Sequence, residues 1–240
     1  MEIAVKSDIG RHRDLNEDSF FVEQNNDFTI LIVADGMGGH LAGEVASKIA
    51  TESINEYIKD NFSKIDIKSD LIENALKWAN DKIYEKSSSD SSLSNMGTTC
   101  DAVLIVDNTA YIGHVGDSRV YLNRENKLRQ LTKDHTLIND LIDSGSVSCE
   151  EAKYMKQKNI ITRALGGESR LNVDKFEIEL IGNDKILLCS DGLTNGVSDT
   201  DIKEVLEMEI SAEEKANMLI YMSNASGGYD NTTVIIGEMR

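Results

Sequence analysis

Three aspartates carry the clearest chemical signal in this sequence. Asp35, Asp191 and Asp230 each stand beside or close to glycine where an apolar run ends or begins, in the strings IVADG, LLCSDG and GGYDNTTVII. A carboxylate placed where a strand leaves its sheet projects into the crevice at the sheet edge, and a nearby glycine lets backbone or a metal ion come close. One Asp-Gly alone reads as a turn; three in the same setting point to a shared purpose. With no paired histidines and no Cys-x-x-Cys, the donors are hard oxygens, which suit Mg²⁺ or Mn²⁺ rather than zinc. Spacing leaves open whether the three meet in space.

The elements that must position these carboxylates follow from hydrophobic periodicity. Residues 19–34 read as two strands around a turn at Asn25-Asn26-Asp27, the second running into Asp35-Gly36-Met37-Gly38-Gly39. Leu41, Val45 and Ile49 begin a helical stripe that lasts to about residue 60, and Leu71, Ile72, Ala75, Leu76, Ala79 and Ile83 mark a second helix. The serine-rich stretch 86–95 reads as a surface loop. A three-stranded meander is expected over 99–106, 110–115 and 119–123, with turns at Asp107-Asn108 and Gly116-Asp117. Short helices around Gly145 follow in 136–157. Strands at 173–181 and 185–190 flank a turn at Gly182-Asn183-Asp184, helices cover 199–224, and a last strand spans 231–237. Short links favour antiparallel sheets with helices on their outer faces, an α+β sandwich.

Composition bounds the class. The 240 residues contain no proline and no linker-like stretch, so one domain is expected. A content of 40% hydrophobic and 28% charged residues is that of a globular protein. The formal charge of −17 argues against nucleic acid and against anionic lipid as partners, because both need clustered Lys and Arg. An anionic phosphate ester would also be repelled, unless bound divalent cations dominate the field locally. The N-terminus lacks a signal-peptide core and no apolar run could span a bilayer, so a cytoplasmic protein is expected. Three cysteines, Cys100, Cys149 and Cys189, do not make a disulfide framework.

Six segments together resemble a known motif series. In order they are Arg13-Asp14-Leu15-Asn16-Glu17-Asp18, Asp35-Gly36-Met37-Gly38-Gly39-His40, Met96-Gly97-Thr98-Thr99, Gly113-His114-Val115-Gly116-Asp117-Ser118-Arg119, Ser190-Asp191-Gly192 and Asp230-Asn231-Thr232-Thr233. The series is similar to that of the bacterial type 2C metal-dependent serine/threonine protein phosphatases and covers almost the whole chain. The resemblance implies a four-layer α-β-β-α sandwich with a metal centre in a cleft at one edge. It implies that Asp35 bridges two Mn²⁺ or Mg²⁺ ions, that Gly36 offers its carbonyl to one, and that Asp191 and Asp230 complete the other. Asp18 would hold metal-bound waters, and Asp117 with Asp191 would bind a third, weaker ion. A water between two such ions loses its proton near neutral pH and can attack phosphorus in line.

Arg13 would receive the phosphate through its planar fork of donors. The leaving oxygen needs a proton, and His40 is the candidate acid. Many eukaryotic relatives have histidine directly after Asp-Gly, where this chain has Met37; a cap or packing role at the helix start fits His40 equally. His12, His114 and His135 are weaker candidates, and His114, within a strand, reads as structural. Residues 136–165 correspond to the mobile flap of bacterial relatives. At its end Arg163 is a candidate contact to substrate or flap, although a plain surface hairpin of helices fits that segment as well. Glu17 and Asp134 are ambiguous on so acidic a chain. The implied partners are phosphorylated proteins, among them a serine/threonine kinase and its substrates, met by a monomer.

Rival phosphoryl-transfer chemistries leave no trace. No cysteine has arginine six residues later, no Gly-Lys occurs, and H-E-x-x-H and G-x-S-x-G are absent. A catalytically silent member of the same fold is the alternative, since fold does not guarantee activity. The presence of Asp35, Asp191 and Asp230 favours the enzyme. A phosphatase of small phosphoesters would share the centre and differ in access to the cleft.

Overall fold

The computed structural model describes residues 1–38, 42–152, 155 and 160–239. In chain order the strands and helices are β1 (Glu2–Asp8), β2 (Asp18–Gln24), β3 (Thr29–Met37), α1 (Ala42–Asn61), α2 (Lys68–Ser89), β4 (Gly97–Thr98), β5 (Cys100–Val106), β6 (Thr109–Val115), β7 (Arg119–Arg124), β8 (Lys127–Gln130), α3 (Leu137–Asp143), α4 (Cys149–Ala152), β9 (Asp174–Glu179), β10 (Lys185–Cys189), α5 (Asp191–Thr194), α6 (Asp199–Glu207), α7 (Ala212–Ala225) and β11 (Thr232–Glu238). One sheet has the order β1-β11-β10-β7-β8 and the other β2-β3-β5-β6-β9, with β4 alongside β3. Every pairing is antiparallel.

The unbroken apolar runs are strands covered on both faces, and their alternation sorts the core into three layers of contact. Leu31 and Val33 of β3, Val103 and Ile105 of β5, and Ile112 of β6 meet Val120, Leu122, Ile186, Leu188 and Ile235 between the two sheets. The alternate residues Ile30, Ile32 and Ala34, with Cys100, Ala102 and Leu104, face α1 and α2. On the other side Leu187, Cys189, Val234 and Ile236 pack under α6 and α7. Each large aliphatic side chain so buried contributes about 1.5–3 kcal/mol. The result is the expected α-β-β-α order of layers. Serines start the outer helices: Ser198 Oγ accepts the Asp201 N–H, and Ser211 and Glu214 cap each other reciprocally.

Four expectations need correction. The meander over 99–123 is broken, because β5 and β6 pair in one sheet while β7 lies in the other between β10 and β8. Gly116-Asp117 is therefore a crossing between sheets, with Gly116 at φ +114, a conformation that suits glycine. The turn at 182–184 likewise joins strands of different sheets. The loop expected at 86–95 begins as helix, since α2 runs to Ser89 and a single 3₁₀ turn follows at Ser91–Leu93. Finally β1 and β8 were not foreseen. β1 is half-buried along its whole length, and β8 has only four residues.

Candidate active site

Adjacent strands set the first pair of carboxylates. Asp18 opens β2 and lies directly across the ladder from Asp35 of β3. β3 continues through Gly36 and Met37 to pair with β4, so Asp35 sits within the strand rather than at its end. Two threonines fix its backbone. The Asp35 N–H donates to Thr99 Oγ1 at 3.0 Å, and its carbonyl accepts from Thr98 Oγ1 and the Thr99 N–H, both at 2.8 Å.

The other sheet supplies the second pair. Asp191 is the first residue of α5, separated from the end of β10 by Ser190 alone, and Asp230 lies two residues before β11. Ser190 joins the sheets: its hydroxyl donates to Asp18 Oδ2 at 2.7 Å and accepts the Thr233 N–H at 2.9 Å. Asn195 Nδ2 donates to Asp191 Oδ2 at 3.0 Å. Asn231 stitches the β1–β2 loop to β11, accepting the Glu17 N–H at 2.8 Å and donating to the carbonyls of Ile9 and Leu15 at 2.9 and 3.0 Å. That loop presents Arg13, whose Nη2 donates to Asp230 Oδ2 at 2.9 Å while Nη1 lies 3.9 Å from Glu17 Oε2. Asp117 comes in on the crossing between sheets, next to Ser118, whose Oγ is 2.7 Å from Thr99 Oγ1.

Burial and mutual repulsion raise the proton affinity of this cluster. Asp18 is pushed up to about 7 by burial, with Asp191 and Asp230 adding to it against the hydroxyls of Thr233 and Ser190. Asp117 is pushed up to about 7 by burial and then by Asp191 and Asp134. Burial raises Asp35 well above the carboxylate range, reinforced by Asp18, Asp191, Asp230 and Asp117. Asp191 is raised by burial and Asp230, despite hydrogen bonds from Asn195 and Asp35. These carboxylates therefore share one electrostatic problem, which Arg13 eases at Asp191 and Arg119 at Asp117.

The donor set fits hard divalent ions. Asp18 Oδ1 and Asp117 Oδ1 are buried without a hydrogen-bond partner, an expensive condition that a cation or its water would relieve. As the side chains stand, no three acidic, histidine or cysteine side chains among the described residues are drawn together into a finished ligand set. Gly36 is tightly enclosed: a Cβ there would lie 2.2 Å from the Gly43 carbonyl oxygen and 2.6 Å from that of Glu17.

Other expected residues fall in different places. His40 lies outside the described residues. The Arg163 guanidinium is held by Asp174 Oδ1 at 2.8 Å, at the neck of the 136–165 segment, where it lines a cavity of about 470 Å³ with Met37, Ile161 and Thr162. The neck is closed by the bridge between Thr136 and Ile161 and by the Thr162 N–H on the His135 carbonyl. His135 Nδ1 accepts the Gly116 N–H, so its proton is on Nε2, facing Asp174 Oδ2 at 3.2 Å. Burial, helped by His114 and Arg163, lowers it to about 4 and keeps it neutral. His114 is structural, as expected: fully buried, it gives its Nε2 proton to the Lys133 carbonyl and shares another with Asp101 at 2.7 Å. Asp134 is taken by Arg119 through a forked contact. His12 stacks on Tyr229.

Sequence reasoning missed the residues that hold the carboxylates rather than the carboxylates. Thr98, Thr99, Ser190 and Asn231 stood inside motifs already noted, beside the aspartates they fix, so their signal was present. Asn195 had none.

Comparison with known proteins bears on the family and the fold. The family model for protein phosphatase 2C matches residues 10–225. The serine/threonine phosphatase stp of Listeria monocytogenes is 40% identical over 99% of this chain and 96% of its own length. The S. agalactiae serine/threonine phosphatase structure superposes with a TM-score of 0.92 at 37% identity, covering 100% of this chain and 99% of that one. The catalytic domain of the phosphatase PstP, solved with two manganese ions, gives 0.85 at 36% identity over 100% of this chain and 98% of that one.

Proposed function

This chain belongs to the protein phosphatase 2C family, and from that premise we propose that it hydrolyses phosphoserine and phosphothreonine in proteins with the help of two Mn²⁺ or Mg²⁺ ions. The observation that carries the reading is the convergence of Asp18, Asp35, Asp117, Asp191 and Asp230 on one edge of the sandwich, the first four raised toward protonation by burial and by neighbouring carboxylates, with Arg13 on Asp230. Asp35, which faces all four others, is the ligand that both ions would share, with the Gly36 carbonyl, Asp191 and Asp230 completing their sites. Asp117 with Asp191 would take a third ion, and Asp18 would hold waters in place. Ions held there supply Lewis acidity, offsetting phosphate charge and making water acidic enough to act as nucleophile near neutral pH.

The chain's own groups do the rest. Arg13 is about half exposed and already spans toward Asp230, so its planar donors can turn to the phosphate once Asp230 is otherwise engaged. His40 is the proposed proton donor to the departing serine or threonine oxygen, and Arg163 at the flap neck the proposed contact to the bound substrate. Among the described residues no helix is long and apolar enough to cross a membrane. The buried free thiols of Cys100 and Cys189 suit a reducing compartment, so we place the enzyme in the cytoplasm, as a monomeric single domain opposing a serine/threonine kinase.

The test is phosphate release from a phosphothreonine peptide after treatment with a chelator, then with Mn²⁺ restored. Turnover should vanish and return; turnover that survives the chelator, or no turnover with any divalent ion, would end the proposal. Arg13→Ala should raise KM for the same peptide about ten- to a hundredfold with a smaller change in kcat, the cost of losing a charged hydrogen-bonding pair. Arg13→Lys should restore little, because an ammonium lacks the fork. A fall in kcat at constant KM would contradict the role given to Arg13.

A further inference from the structure

The rim of the cleft beside Asp230 carries an aromatic contact that the chemistry above leaves unused. Tyr229 is 71% exposed, yet its ring is held in place. One side stacks on His12, with centroids 4.9 Å apart and planes 17° from parallel. Against the ring lies Gly227, where a Cβ would come within 2.2 Å of Tyr229 Cε2, so only glycine leaves the ring its place. The two loops that carry the pair are tied together by the Arg11 N–H, which donates to the Gly228 carbonyl at 2.7 Å, and Asn224 near the end of α7 donates to Asp8 Oδ1, which also accepts the Gly10 N–H of its own loop.

Position gives the pair its meaning. His12 directly precedes Arg13, and Tyr229 directly precedes Asp230, so the backbones that carry the platform also carry, ~3.8 Å on from Cα to Cα, the residues assigned to phosphate and metal. A cavity of about 350 Å³ adjoins it, lined by Tyr229 and Asp230 together with Gly192, Asn195, Ser226 and Gly228. Asn195 there is the side chain that holds Asp191. A surface of net charge −17 offers an anionic phosphopeptide little general attraction, so affinity must come from local contacts. A tyrosine already fixed by stacking gives such contact area with little further loss of freedom.

We propose that His12 and Tyr229 form a substrate subsite that packs against an aromatic side chain directly flanking the phosphorylated residue of a protein substrate. The proposal rests on the phosphoprotein phosphatase reading and on Arg13 as the receptor of phosphate. Its test compares kcat/KM, with Mn²⁺ present, for phosphothreonine peptides bearing Phe or Ala at the positions flanking the phosphoresidue. The unaltered enzyme should prefer a Phe peptide about tenfold, mainly through KM. Tyr229→Ala and His12→Ala should bring that ratio close to one, and Tyr229→Phe, which keeps the ring, should preserve it. An unaltered enzyme indifferent to Phe and Ala, or a preference that survives in Tyr229→Ala, would overturn the subsite while leaving the phosphatase reading intact. No turnover of either peptide by the unaltered enzyme would instead overturn the phosphatase reading and the subsite with it.

Discussion

Asp35→Asn is expected to lower phosphopeptide hydrolysis at least about a thousandfold, the scale of losing a group that stabilises the transition state electrostatically. The change removes one oxygen's charge and keeps the shape. Its backbone would stay fixed by Thr98 and Thr99, since those bonds use main-chain atoms of residue 35. Burial and four neighbouring carboxylates already push Asp35 toward its neutral form, so a neutral amide costs the cation-free fold little. The variant should therefore unfold at a temperature close to that of the unaltered chain when both are measured with chelator present. Activity within tenfold of normal would contradict the shared-ligand assignment. A collapse in thermal stability would show instead that Asp35 serves the fold.

Gly36→Ala should, unlike Asp35→Asn, lower stability in the absence of any cation. The methyl group would meet the main chain of Gly43 at 2.2 Å and that of Glu17 at 2.6 Å, contacts that cannot be relieved by rotating a side chain. Either β3 or the start of α1 must move, at a cost of about 3 kcal/mol. For a domain of this size that is a fall in Tm of about 6–12 °C by calorimetry, even with chelator present. An unchanged Tm would mean that α1 is not pressed against β3 as described. The resemblance implied that Gly36 offers its carbonyl to an ion; the packing gives a separate reason for glycine there, since the position permits no side chain.

The sandwich and the carboxylates of the candidate site were legible in the sequence because both are written in short-range patterns. Strands buried on two faces appear as runs such as Thr29 to Ala34, and helices such as α1 and α2 repeat every three to four residues. The aspartates stood where those runs begin or end, and the motif series gave their order. The partition of strands between sheets was not legible. Val115 and Arg119 are separated by the same kind of short link that closes a hairpin, and only the three-dimensional crossing at Gly116 shows that β6 and β7 part company. β1 escaped because its residues are half-buried throughout and alternate weakly, and β8 because it is short.

The electrostatics of the site were legible only as a suspicion. A charge of −17 said that phosphate needs help, but not that Arg13 would be found on Asp230, nor that Asp18 and Asp117 would each bury an oxygen with no partner. Those facts depend on side chains brought together from distant parts of the chain, as far apart as Arg13 and Asp230. Ser190 and Asn231 do the joining, and their types alone, serine and asparagine in turns, are too common to single out.

Isothermal titration of Mn²⁺ into the chelator-treated chain, freed of chelator before the run, bears most directly on the claim that these carboxylates form one cation site. Uptake of at least two ions per chain is expected, with Asp35→Asn losing most of that binding while remaining folded. No uptake by the unaltered chain, or equal uptake by both, would contradict it.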